Sequence, residues 1–136
     1  AAAGLPPRPH QHVDGVNLEP LLRGGGLEPR PLFWHYPHYN EHPSSVPSSV
    51  IRKGRWKLIE TFDPVGVELY DLEQDIGETS DRAAAHPDVV RELAAELEAW
   101  RVSVGAERML PNPDYDPAEA ASPRKSSAKK KQRRAS

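Results

Sequence analysis

Proline decides where this chain can be regular. It carries 15 prolines and 9 glycines in 136 residues, roughly a sixth of the chain and above ordinary usage. A proline inside a helix removes a backbone donor and clashes with the turn before it. Pro6, Pro7, Pro9, Pro20, Pro29 and Pro31 therefore rule out a long helix over residues 1–31. At most a helical turn fits at Leu18–Arg23, stopped by Gly24-Gly25-Gly26. This stretch reads as a connector that needs another surface to pack on. Hydrophobic residues make up only 37%, so a large enclosed active site built from this chain alone is not expected. The chain opens on Ala1 and its single methionine is Met109, which points to a piece of a longer polypeptide. No stretch approaches the roughly 20 apolar residues of a membrane span. With no cysteine, disulfides, thiolate metal sites and cysteine nucleophiles are excluded.

Between and after the prolines, two periodicities appear. Leu32–Tyr36 reads as a strand, which Pro37 ends or places at a sheet edge. His38–Pro47 is a polar, proline-broken loop. Ser49–Lys53 and Arg55–Thr61 are strand-like runs around the Lys53-Gly54 turn signal. In the second run Trp56, Leu58 and Glu60 alternate with Lys57, Ile59 and Thr61. Asp63-Pro64-Val65-Gly66 is a further turn. Val67–Leu72 follows, with Val67, Leu69 and Asp71 on one face. After an acidic loop, Pro87 suits a first helical position, where its missing N–H costs nothing. Asp88 and Glu92 favour the positive end of the helix dipole. Val89, Val90, Leu93, Leu97, Trp100 and Val104 recur at spacings of three and four and form one apolar stripe, and Gly105 can end the helix. The expected fold is α+β: a small antiparallel sheet of three or four strands packed by one C-terminal helix. It would comprise an extended connector over 1–31, a compact unit over 32–117 and a basic disordered tail over 118–136. Within the compact unit, Met109–Pro117 is proline-spaced and extended, with Tyr115 as an anchor.

The net charge of −2 hides an asymmetry. Residues 117–136 hold seven Lys or Arg and one acid, so they carry +6, while the other 116 residues carry −8. The tail lacks large apolar residues and cannot offset the entropy of ordering. Basic clusters attract phosphates or anionic surfaces, but no aromatic residue is available for base stacking. The reading is a solubilising extension, with no nucleic-acid partner expected.

Candidate chemistry is sparse. His35, His38 and His42 lie close together with Tyr36 and Tyr39 between them. No carboxylate stands at a metal-diagnostic helical spacing, so the cluster fits a polar aromatic surface better than a metal site. Aromatic rings face sugars, and imidazoles hydrogen-bond hydroxyls or attract anions when protonated. Phe33 and Trp34 fit equally well as packing residues. Nothing resembles G-x-S-x-G, and Gly24-Gly25-Gly26 lacks the Lys-Ser or Lys-Thr of a phosphate loop. The acids between Glu68 and Asp81 lack calcium-loop spacing and read as a solvated face. Arg52, Lys53, Arg55 and Lys57 read as an exposed hairpin edge, charged against aggregation.

Together these pieces resemble the C-terminal subdomain of the sulfatase family, the arylsulfatase-type sulfuric ester hydrolases. The carrying residues are Asp14-Gly15-Val16-Asn17-Leu18-Glu19-Pro20-Leu21-Leu22, then Arg30-Pro31-Leu32-Phe33-Trp34-His35-Tyr36-Pro37-His38-Tyr39. They continue with Ser49-Val50-Ile51-Arg52-Lys53-Gly54-Arg55-Trp56-Lys57-Leu58-Ile59 and Glu68-Leu69-Tyr70-Asp71-Leu72. Asp75-Ile76-Gly77-Glu78 stands where family members often carry Asp-Pro-Gly-Glu. The match covers about residues 12–117.

The resemblance implies a parent that cleaves sulfate esters, with a Cys or Ser in a C/S-x-P-x-R signature converted to formylglycine and a divalent cation, usually calcium, polarising the sulfate. These groups belong to a larger N-terminal catalytic domain, so the fragment alone would be inactive, with no catalytic residue and no metal ligand of its own. Ser45-Val46-Pro47-Ser48-Ser49 nearly spells the signature, but Ser49 stands where Arg is required. By the same resemblance the implied partners are that catalytic domain and a sulfated carbohydrate. His35 and His38 are the candidate substrate contacts, and export is expected. Two other classes compete: a stand-alone carbohydrate- or anion-binding module using Trp34, His35, Tyr36 and Tyr39, and a structural domain whose basic tail docks to an acidic partner. An upstream C/S-x-P-x-R with an Asp-Asp pair selects the first reading.

Overall fold

The computed structural model describes residues 15–39 and 46–110, with residues 4, 8, 10 and 113 in addition. Expectations for His42, Tyr115 and the tail at 118–136 lie outside the described residues. The elements are α1 (Glu19–Leu22), β1 (Leu32–Tyr36), β2 (Ser48–Lys53), β3 (Trp56–Phe62), β4 (Val65–Asp71) and α2 (Pro87–Ser103). The four strands form one antiparallel sheet in the order β1-β2-β3-β4. This is the α+β unit the sequence predicts, with α2 opening at Pro87 as expected.

Short turns set the register. Lys53 pairs with Trp56 across a two-residue connection, and Gly54 occupies it at φ 58°, a left-handed conformation that a side chain would oppose. Phe62 pairs with Val65 across the next turn. The register then lines up Phe33, Ile51, Leu58 and Leu69 on four successive strands. Because side chains alternate across a strand, this row points to one face. α2 lays Leu93 and Leu97 over it, and Ile51, Leu58, Leu69, Leu93 and Leu97 form the buried core. Phe33 extends the core by stacking on Trp100, with ring centroids 4.8 Å apart and planes 3° from parallel. Val104 departs from the expected stripe: the helix ends at Ser103, and Val104, its capping residue, is 55% exposed.

The charged residues depart further from expectation. β2 and β3 are the central strands, not an exposed edge. Three of the hairpin's cations are ion-paired across elements. Lys53 reaches Glu92 at 3.0 Å and Glu96 at 2.8 Å on α2. Arg55 grips both oxygens of Asp71, with Nε 2.8 Å from Oδ1. Lys57 donates to both oxygens of Glu78 at 2.7 Å. The acidic segment is a solvated face only in part: Glu68, Glu73 and Asp81 are exposed, whereas Asp75 and Glu78 are half-buried. Asp71 is buried, and the Arg55 guanidinium holds its carboxyl below the usual range against the opposing cost of desolvation. Asp81 Oδ1 accepts the N–H groups of Leu69 at 3.0 Å and Ala83 at 2.8 Å, and the Arg82 N–H donates to the Leu69 carbonyl at 2.7 Å. These bonds cover the outer edge of β4, which would otherwise leave backbone groups unpaired. At the opposite edge, β1 pairs with β2 and with no further strand among the described residues.

Candidate functional site

The end of β1 gathers the candidate side chains. Alternation sends Phe33 and His35 to the helix-covered face and Trp34 and Tyr36 to the other. His35 lies opposite Ser49 in the register. Its Nε2 is 2.6 Å from the Glu107 carbonyl oxygen. A carbonyl can only accept, so Nε2 carries the proton and donates. In the neutral ring Nδ1 then accepts from the Ser49 hydroxyl at 2.6 Å. Ser49 is fully buried, and this bond satisfies its hydroxyl. Phe62 meets the imidazole edge-on at 5.8 Å. His35 thus ties β1, β2 and the segment after α2 together, and both of its ring nitrogens are occupied.

His38 lies beyond Pro37. It is exposed and meets the Tyr36 ring edge-on at 5.4 Å. The Tyr39 hydroxyl donates to the Asp63 carboxylate at the β3–β4 turn. Two adjoining clefts result. One, of about 320 Å³, is lined by His35, Phe62, Glu98, Arg101, Arg108 and Met109 among others. The second, of about 440 Å³, is lined by His38, Tyr39, Arg108, Met109 and Leu110 among others. They share Arg108 and Met109, so the structure places His35 and His38 on one groove walled by residues 107–110.

The groove's cations were not singled out from sequence. Arg101 was legible only as a polar residue outside the α2 stripe, and nothing flagged Arg108. Arg101 pairs with Glu60 at 2.6 Å and with Glu98 at 2.7 Å. Arg108 also engages Glu98, whose carboxyl is held below its usual range, chiefly by the hydrogen bond from Arg101. Two guanidiniums facing two carboxylates leave the groove near neutral. It can exchange hydrogen bonds with a hydroxyl-rich ligand, and Arg108, the more exposed of the two, can release Glu98 to meet an anion. Among the described residues no group of three or more His, Asp or Glu side chains could hold a metal ion, and no described helix is long and apolar enough to cross a membrane.

Comparison with known proteins gives a consistent set of relatives. No family model matches the chain. A curated protein from Formosa agariphila named sulfatase is 30% identical over 119 residues, covering 78% of this chain and 21% of its own length. An N-acetylgalactosamine-6-O-sulfatase from Bacteroides thetaiotaomicron is 40% identical over 63 residues, covering 36% of this chain and 12% of its own. Among solved structures, a 2-O GAG sulfatase superposes with a TM-score of 0.58 at 24% identity, covering 76% of this chain and 23% of that one; at that identity the likeness is one of fold. The chain spans about a fifth or less of the length of the curated relatives it matches.

Proposed function

The chain is a segment of the sulfatase family, and from that premise we propose that it forms the C-terminal part of a sulfuric ester hydrolase acting on a sulfated carbohydrate. The observation that carries this is the 30% identity across 78% of the chain to a relative of which the match covers 21%, joined to a shared fold. The carbohydrate is supported by the printed names of two relatives, one acting on sulfated N-acetylgalactosamine and one on GAG. In this reading residues 1–31 connect to the catalytic domain of the same parent chain, residues 32–117 pack on it, and 118–136 extend beyond.

Formylglycine and calcium would belong to that catalytic domain. The residues here do not fit either group: the chain has no cysteine, Ser48 and Ser49 stand in a strand without the signature's arginine, and no described cluster suits a cation. No chemical step is therefore assigned to this chain, and the fragment alone should not turn over an aryl sulfate. Its part is to shape the substrate groove. His38, exposed beside Tyr36, would hydrogen-bond a sugar hydroxyl or, when protonated, draw an anionic group. His35 would present its ring edge from the wall and hold that wall in place through Glu107 and Ser49.

The test is the parent protein read upstream of Ala1 and assayed for sulfate release from 6-O-sulfated N-acetylgalactosamine. An upstream C/S-x-P-x-R and an Asp-Asp pair with measurable release support the proposal; a parent lacking both, with no release, removes it. His38→Ala should raise KM several-fold with calcium content unchanged; identical kinetics would take His38 out of the groove. A second reading, a stand-alone carbohydrate- or anion-binding module, draws on the exposure of Trp34 at 51% and Tyr36 at 44%. It would be favoured by glycan binding from a chain that has no catalytic domain upstream.

A further inference from the structure

The other end of β1 holds a recess that the groove at His35 and His38 does not use. Its volume is about 230 Å³, and it is lined by Arg30, Pro31, Leu32, Phe33, Trp34 and Trp100. At about 3.3 Å per residue along a strand, Pro31 lies roughly 13 Å from His35. Phe33 and Trp100, stacked on each other, wall the recess with flat apolar surface, and Trp34 adds a half-exposed indole. β1 is an edge strand with no partner on its outer side among the described residues, and such an edge presents unpaired N–H and C=O groups.

Charge separates this recess from the first groove. There, Arg101 and Arg108 both face carboxylates. Arg30 is exposed, and no carboxylate among the described residues pairs with it. A guanidinium without a partner, beside aromatic faces and a strip of backbone donors and acceptors, matches one ligand chemistry. A sulfate takes a planar fork of N–H donors, a sugar ring lies on an indole, and hydroxyls both donate to and accept from an edge strand.

We infer that this recess is a subsite for a further sulfated sugar unit of a polymeric substrate. Arg30 pairs with the sulfate, the exposed Trp34 indole faces the ring, and the β1 edge meets the hydroxyls. The inference rests on the sulfated-carbohydrate reading and deepens it: the substrate would be a chain long enough to reach from the His38 groove to the Pro31 end of β1. The competing occupant, another surface of the parent protein, would compact the recess and make the same residues matter for stability instead.

The experiment uses the full parent protein and chondroitin sulfate, native and chemically desulfated, with affinity measured by electrophoresis through gels containing each polymer. Arg30→Gln and Trp34→Ala should each weaken binding to the sulfated polymer roughly three- to tenfold, as for loss of one charge-assisted or aromatic contact near a surface. Arg82→Gln, which removes the same charge beside β4 at the opposite edge of the sheet, should leave it unchanged. Binding to the desulfated polymer should be weak and insensitive to Arg30→Gln. Affinities that match wild type in both recess variants overturn the inference, as does a lowered Tm in both without any selective loss of polymer binding. Sulfate release by the wild type is scored separately. Its absence sinks the hydrolase reading, whereas release that persists while the recess variants bind normally sinks only the subsite.

Discussion

The two faces of this sheet are built from neighbouring residues of the same strands and end in opposite situations. On one face the row Phe33, Ile51, Leu58 and Leu69 runs straight across, and its last three members are fully buried. One residue along, the row Trp34, Val50, Ile59 and Glu68 runs across the other face, where Trp34 stays 51% exposed. Three of the four residues in the second row are apolar too, so hydrophobicity of the strands does not explain the difference. α2 does: Leu93 and Leu97 seal the first row, whereas Val50 and Ile59 of the second are only partly buried. Burial is a property of pairs of surfaces, and apolar area left in water contributes nothing to folding.

Adjacent β3 residues put the sharpest strain on that comparison. Leu58→Ala should destabilise by about 2–5 kcal/mol, because a fully enclosed site cannot collapse around the cavity. Ile59→Ala should cost about 1 kcal/mol or less, since its surroundings are already partly solvent. Urea denaturation of both variants in the same protein decides it. Equal losses would mean that the open face is covered in solution, and would favour docking of the parent's other domain there.

A polar residue on the covered face should come next in size. Ser49→Ala removes the hydroxyl that donates to His35 Nδ1 and leaves a half-buried acceptor unpaired, at a cost of about 1–3 kcal/mol. Among the described residues, none on the open face has a corresponding enclosed bond to a histidine. A loss below a few tenths of a kcal/mol would show that water replaces the hydroxyl, and that the His35 end of the covered face is wetter than its core.

The covered row was legible in advance because it is redundant: period-two alternation in β3, the α2 stripe and the turn at Gly54 all agree. The ends of elements were less so. Val104 fits the stripe by spacing, but helix ends depend on where the chain must leave, which spacing does not encode. The misread charges share one cause. Lys53, Arg55 and Lys57 look like a solvated run along the chain, yet their partners Glu96, Asp71 and Glu78 are 43, 16 and 21 positions away. Ion pairing across elements is invisible to a local window. The groove is legible only on the β1 side, because Arg108 and the Glu107 carbonyl arrive from beyond α2 by topology alone.

The smallest expected effect separates the faces by pH. On the covered face Asp71 is favoured as the anion by Arg55, so its carboxyl sits below the ordinary 3.8. A depressed acid stabilises the fold above its unfolded value, and that contribution is lost as pH falls through the folded value. On the open face Tyr70 is pushed from 10.0 up to about 12, first by burial and then by its 2.9 Å hydrogen bond to Glu68. A raised phenol stabilises the fold fully below its unfolded value, and that contribution is lost as pH rises from 10 toward 12. The two faces should therefore weaken at opposite ends of the scale, with neither residue contributing any slope between about pH 5 and 9. Arg55→Gln should flatten the decline of Tm below pH 4 and leave the alkaline limb alone, while Tyr70→Phe should do the reverse. If either substitution alters both limbs, the faces are coupled through the sheet and do not titrate as separate surfaces.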